Sequence, residues 1–269
     1  MKEPKSSLFV RVVFVVYMML FFFFGTAFVL LNGAYSSQPS SELYDFVIQK
    51  YMPSDFIFNV FSLDLHDNDT VSQFTNNGVE LTPIGELPTI KTITNVKTIQ
   101  FDVGSSLSTN DVSYSNQATF MALVYLDKPL TVGYNHFIST VFDTTKVYSL
   151  QTNNRSSFQV YNDGLITNSM MTLVPDKWYS LAATFDGIGL RTKLYVNGYL
   201  VKEGPCYNYG AYFGLTLNGL KTKHKKILGQ SDLRYNLAMA QVWNSTVLSE
   251  ADMFYYAILY QNIFEIKLV

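Results

Sequence analysis

DKWYSLAATFDGIGLRTKLYVNGYLV, residues Asp176–Val201, is the stretch that decides the fold. Within it Tyr179, Leu181, Ala183 and Phe185 alternate with Ser180, Ala182 and Thr184, the period-two pattern of a strand with one buried face. Asp186-Gly187-Ile188-Gly189 breaks that strand, and TKLYV then runs into Asn197-Gly198 before the chain returns as YLV. A two-residue type I′ turn needs positive φ at both central positions, so Asn-Gly predicts a hairpin tip here.

Working outward, short strand-like runs recur at 56–63, 79–83, 90–94, 97–103, 117–126, 136–142, 146–150, 157–161, 166–174, 178–185, 191–196, 199–202, 211–218 and 235–244. Turn residues at Asn76-Asn77-Gly78 and Asp163-Gly164 separate some of them. Between them no helical period lasts long enough to supply the crossovers of a parallel sheet, which predicts an antiparallel sandwich of two sheets. The tail breaks the pattern once. Ser249 with Asp252 makes a capping box, Leu248 and Met253 a staple, and Met253, Tyr256, Ala257 and Tyr260 an apolar helical stripe. Beyond it Phe264, Ile266 and Leu268 alternate as a strand's apolar face, to be covered by the domain's own sheet or by a neighbour.

The 269 residues suffice for one large core. Apolar residues reach 48%, with 21 Phe and 19 Tyr, while charged residues are 15%. Interface cores share that bias, which predicts a partly covered surface and other protein subunits as partners. A net charge of -2 gives no electrostatic reason to expect nucleic acid. Cys206 stands alone, which excludes an intrachain disulfide, and 3 scattered histidines do not form a zinc pattern.

The N-terminal Val12–Leu31 run carries no charge and is long enough, as a helix, to cross a bilayer. Lys2, Lys5 and Arg11 precede it, and no charge follows until Glu42. This reads as residues 1–11 a short tail, 12–31 a transmembrane helix, 32–53 a linker with a short helix, and 54–269 the sandwich with its closing helix and tail. The expectation is a single-pass protein with the bilayer as a partner and the N-terminus on the cytosolic or matrix side. The domain is then extracytoplasmic or in the intermembrane space, the membrane being the mitochondrial inner, plasma or viral internal one.

Several stretches together resemble the concanavalin A-like lectin/glucanase superfamily, in its laminin G-like branch. Phe101-Asp102-Val103-Gly104 resembles that branch's early strand, and Ala118 to Leu130 its following core strand. Trp178, Ala182-Ala183-Thr184-Phe185-Asp186-Gly187 and Leu194-Tyr195-Val196-Asn197-Gly198 resemble its central signature. Ala240-Gln241-Val242-Trp243-Asn244, followed by Leu248-Ser249-Glu250-Ala251-Asp252, resembles its last strand and closing helix. The resemblance implies an all-β, concanavalin A-like jelly-roll sandwich, here placed behind the transmembrane helix. For function it implies less, because the superfamily holds lectins, adhesion modules, hydrolases and structural subunits.

The superfamily's glucanases carry Glu, x, Asp, x, x, Glu on one strand, and this chain has no such run, so the expectation is no enzyme. No cofactor is expected either. Calcium is the one candidate ion, with Asp64, Asp67 and Asp69 of DLHDND as oxygen ligands, set against a plain solvated turn. Tyr207, Asn208, Tyr209 and Tyr212 have the composition of a glycan or protein contact. Lys221, Lys223, Lys225 and Lys226 form a basic cluster suited to anionic lipid, an acidic neighbour or a sulfated glycan, or else a solvated hairpin tip. Two functions follow. One is a membrane-anchored structural subunit of a large assembly, respiratory or viral. The alternative is a membrane-displayed, glycan-binding lectin-like or adhesion domain.

Overall fold

The computed structural model describes residues 56–59, 65–76, 79–102, 104–127, 135–140, 148–153, 157–162, 164–207, 212–217 and 235–269. These strands form two antiparallel sheets. The first runs β14 (Tyr199–Pro205), β13 (Arg191–Val196), β12 (Lys177–Asp186), β7 (Gln117–Leu126), β16 (Tyr235–Asn244), β5 (Val96–Phe101), β4 (Thr89–Ile93), with β1 (Phe56–Asn59) also paired to β16. The second runs β11 (Leu165–Thr172), β10 (Ser157–Asn162), β9 (Tyr148–Thr152), β8 (Asn135–Thr140), β15 (Tyr212–Leu217), β6 (Ser106–Tyr114), β3 (Val79–Ile84), β2 (Phe74–Asn76). The two sheets pack their apolar faces together, so the described residues form an all-β sandwich.

The opening stretch behaves as its pattern dictates. Tyr179, Leu181, Ala183 and Phe185 of β12 all enter the core, as do Tyr148, Leu150, Phe158 and Val160 of the opposite sheet. Tyr148 stacks on Phe185 across the sandwich with centroids 4.2 Å apart, and Phe120 meets Phe185 edge-on at 5.3 Å. Farther along, Tyr235 sets its ring against Phe101 at 5.4 Å and Phe137 at 5.1 Å. Such aromatic pairs add roughly 0.5–1.5 kcal/mol beyond the area they bury.

β12 differs from expectation on its other face. Ser180, Ala182 and Thr184 are buried too, so the strand has two buried faces rather than one. The cause lies in the last residues of the chain. Helix α1 (Glu250–Ile263) lies on the outer face of the first sheet, where Tyr256 meets Trp243 of β16 edge-on at 5.1 Å and the Tyr260 hydroxyl donates to Gln241 Oε1. Its start is set by the predicted box: Ser249 Oγ accepts from Asp252 N, and Asp252 Oδ2 accepts from Ser249 N at 2.8 Å. A cap of this kind contributes about 1 kcal/mol.

The hairpin tip is part of the same closure. Asn197 and Gly198 have φ of 54° and 83°, as a type I′ turn requires. A Cβ on Gly198 would lie 2.7 Å from Phe254 Cα and 2.9 Å from Ala257 Cβ, so only glycine lets the helix come this close. Asn197 Oδ1 accepts from Ser180 N at 2.9 Å and its Nδ2 donates to the Val269 backbone oxygen at 2.6 Å. Leu268 bridges to Trp178 of β12, and Phe264, Ile266 and Leu268 are buried. The alternating tail is therefore covered by its own domain, which removes one of the observations that pointed to a neighbouring subunit.

The membrane assignment is corrected as well. Among the described residues no helix is long and apolar enough to cross a membrane, and the Val12–Leu31 run and the short helix near 42–51 lie outside those residues. The single-pass localisation and the bilayer partner are not carried forward.

Candidate functional site

The outer face of the second sheet is built from the polar halves of its strands. Because Leu150, Phe158 and Val160 point into the core, the period of two turns Gln151 and Gln159 the other way. Register then lines up residues from four strands: His136 faces Gln151, Gln151 faces Gln159, and Gln159 faces Asn168. A second row beside it runs Ser139, Ser149, Tyr161, Ile166. Side chains paired in this way stand about 5 Å apart, close enough to share one small ligand.

Hydrogen bonding along the first row is incomplete. His136 Nδ1 sits 2.7 Å from Ser149 Oγ, and burial holds the imidazole down to about 4, so it is neutral at pH 7. Asn168 Nδ2 donates to Gln159 Oε1 at a long 3.5 Å. Gln159 Nε2 and Gln151 Oε1, a donor and an acceptor on adjacent strands, are buried and have no partner. Each such group forgoes roughly 1–3 kcal/mol of solvation, and native proteins keep few of them without a water or ligand to answer.

Exposure is graded across the face. Gln151 and Gln159 are each 2% exposed at the centre, Asn168 of β11 is partly exposed, and its strand neighbours Ile166 and Met170 are 51% and 82% exposed. The row is thus closed at the middle of the sheet and open at the β11 edge. Met170 has a positive φ of 59°, uncommon for a residue with a side chain, and its N–H donates to Asn168 Oδ1 at 2.8 Å. This local kink fixes the Asn168 amide, whose nitrogen is turned to Gln159.

Of the residues singled out in the sequence, Asp67, Asp69, Tyr207 and Tyr212 fall among the described residues. Asp69 Oδ2 accepts from His66 N and Asp67 Oδ1 from Thr92 Oγ1, both at 2.7 Å, so these two carboxylates hold a turn and its neighbouring strand. Asp64 lies outside the described residues, and among those described no three metal-ligating side chains converge. Tyr207 is half-exposed beside Cys206, Tyr212 opens β15, and Asn208, Tyr209, Lys221, Lys223, Lys225 and Lys226 lie outside the described residues. Cys206 is buried, accepts from Asn162 Nδ2 at 2.9 Å, and has its thiol pushed up by burial, consistent with an inert role. The polar row was not foreseen. Its signal, Ser and Gln at alternate positions of YSLQT and SFQVYN, is that of any solvated strand face until the register joins the strands.

No family model matches the chain, and no curated protein matches it. Solved structures do match. Domain 4 of AbnA, a GH43 extracellular arabinanase from Geobacillus stearothermophilus, in complex with arabinotriose, is 13% identical with a TM-score of 0.50, covering 71% of this chain and 100% of that one. A mutant Trypanosoma rangeli sialidase displaying trans-sialidase activity is 12% identical with a TM-score of 0.54, covering 73% of this chain but 32% of the sialidase. The binding domain of Paraclostridial Mosquitocidal Protein 1 is 13% identical with a TM-score of 0.52, covering 69% of this chain and 48% of that one. At such identities the likeness shows the fold alone, and the class it defines is a β-sandwich. Two of these structures come from carbohydrate-active enzymes, an arabinanase and a sialidase, which corrects the expectation of no enzyme. None of the three is a respiratory or viral structural subunit, so that reading finds no support.

Proposed function

We propose that residues 54–269 form a glycan-binding, lectin-like domain of the concanavalin A-like, laminin G-like kind, which takes oligosaccharide on the outer face of the second sheet. One observation carries the reading: the β11 side of this face is open, where Tyr161 and Asn168 are partly exposed and Ile166 is 51% exposed. Tyr161 and Ile166, at the open side of the same face, offer apolar surface to the C–H face of the ring. The complex of a similar fold with arabinotriose supports the reading without carrying it.

The test is a titration of the full chain against a broad oligosaccharide panel that includes arabinotriose, followed by calorimetry on any hit. Binding that drops about tenfold or more in Tyr161→Ala, with the melting temperature retained, is the expected result. Failure of every glycan, or binding indifferent to Tyr161 and Ile166, rejects the function.

A further inference from the structure

Helix α1 is apolar on the side that faces solvent as well as on the side that faces the sheet. Met253, Tyr256, Ala257, Tyr260 and Ile263 are buried beneath it, which turns Ala251, Tyr255, Ile258 and Asn262 outward, and all four are exposed. They recur at spacings of four, three and four residues, the seam with which one helix packs along another. No residue from Met253 to Ile263 is charged. The two acids at the start of the helix are already engaged, Glu250 by Lys193 Nζ at 2.8 Å and Asp252 by the Ser249 N–H at 2.8 Å. Phe254 widens the seam and meets Tyr199 of the hairpin tip with ring centroids 5.4 Å apart; Tyr199, Phe254, Tyr255 and Ile258 are 39–64% exposed. A helix on a solvated surface carries charged groups on its outer side, and the outer side of α1 has instead the aromatic, charge-poor composition of an interface core.

We propose that a second copy of this chain covers the seam, the two α1 helices packing antiparallel about a two-fold axis. The seam is symmetric about the middle of Glu250–Ile263, so antiparallel pairing sets Tyr255 against the partner's Ile258 and Ala251 against the partner's Asn262, and every contact occurs twice. In that register Glu250 and Asp252 face the uncharged last turn of the other helix, and each helix N-terminus lies beside the other's C-terminus, which favours the two dipoles. A parallel pairing would bring each acid beside its own copy. Area agrees with a dimer. An aromatic side chain buries about 150–250 Å² in full, so the exposed parts of Tyr199, Phe254, Tyr255 and Ile258 present on the order of 400 Å² per copy. With a polar rim around an interface that is roughly 60% apolar, this core corresponds to about 1,300 Å² over two copies, the lower end of specific interfaces. The dimer is therefore reversible. It is independent of the glycan reading, because α1 lies on the first sheet and its pairing leaves the outer face of the second sheet free.

Sedimentation of the full chain from about 0.1 to about 100 μM tests this, and a monomer–dimer equilibrium with a Kd on the order of 10 μM is expected. Ile258→Glu leaves the buried side of α1 alone and should raise that Kd about tenfold or more with the melting temperature retained; mixing it with the Tyr255→Lys chain should restore pairing. A monomer at every concentration, or a dimer indifferent to both substitutions, overturns the proposal. Orientation is read by cross-linking with oxidised glutathione, to which the buried Cys206 adds no background. Ala251→Cys and Asn262→Cys place their thiols about 16 Å apart along the helix, so in an antiparallel pair neither reaches its own copy, but each reaches the other. A disulfide dimer is expected from the mixture of the two chains and from neither alone. Dimers from each variant alone, or none from the mixture, overturn the antiparallel register, and this readout decides the matter even if Ile258→Glu fails to fold.

Discussion

The outer faces of the two sheets have the same alternating origin and opposite fates. On the first sheet the chain answers its own polar groups: Thr119 Oγ1 donates to Thr246 O and accepts from Leu248 N, Gln241 Oε1 accepts from Tyr260, and Asp127 gathers Lys91, Gln100 and Asn236 at 3.1, 2.8 and 2.5 Å. Two donors there, Gln241 Nε2 and Trp178 Nε1, go without a partner, but each is a single donor on the face that α1 and the tail close. On the second sheet, among the described residues, four buried groups go without a partner, Asn135 Oδ1, Gln151 Oε1, Gln159 Nε2 and Asn162 Oδ1, and no helix of the described chain lies over its outer face. A helix and tail make one face structural. The other is open only at its β11 edge.

The sharpest way to break this contrast is to unseat the helix. Trp243→Ala removes the ring that Tyr256 packs on, and a loss of about 3–5 kcal/mol is expected in chemical denaturation. A loss below about 1 kcal/mol would mean that α1 does not hold that face. Acid probes the other sheet. His136 binds a proton in the unfolded chain at its ordinary 6.5 but in the folded chain only near about 4, so the unfolded state takes up more protons between these values. Stability contributed by this group is therefore complete above pH 6.5 and falls as pH drops toward 4, by about 3 kcal/mol. His136→Gln should flatten that window, and an unchanged acid profile would contradict the buried, neutral imidazole.

Gly198→Ala tests the seam between hairpin and helix. The left-handed penalty and the contact with Phe254 Cα together are expected to cost about 2–3 kcal/mol, more than a turn alone would lose. Thermal melts of Gly198→Ala beside Asn95→Ala, whose φ of 67° also lies in a strand turn, separate the two contributions. The smallest effect on stability is expected for Gln151→Leu with Gln159→Leu. Replacing both unpaired groups by apolar ones should leave stability within about 1 kcal/mol or raise it. A large destabilisation would show instead that the amides hold the sheet together.

Much of the first sheet could be read directly, and most of the second sheet's role could not. Asn197-Gly198 takes the backbone its residues demand, Ser249 and Asp252 close the box, and Tyr179 to Phe185 alternate into the core. These are local rules, each satisfied within a few residues. The strand β6 (Ser106–Tyr114) has no counterpart among the predicted runs, because SLSTNDVSY lacks an apolar alternation. Ser108 of that strand pairs with Thr82 on one side and Thr216 on the other, all on hydroxyl-bearing positions. The polarity that makes this sheet a candidate binding face is also what conceals its strands. The tail shows the complementary limit: FEIKLV announced a buried edge, but only the register with Trp178 and the Asn197 contact identify what buries it.

The position of β16 has a kinetic consequence. It pairs with β7 on one side and β5 on the other, and β1 pairs with it too, yet it is formed by residues 235–244. Until it arrives, β7 with its ATFMALVYL sequence has a free edge, and β5 with β4 has nowhere to dock. Loop closure over so many residues precedes any reward from the pairing, so refolding should be slow, on the order of milliseconds to seconds or longer. An apolar strand with an open edge during that interval is a site for intermolecular pairing. Refolding yield should therefore fall steeply with protein concentration, and a soluble excess of a peptide spanning Tyr235–Asn244 should compete for the vacant slot beside β7.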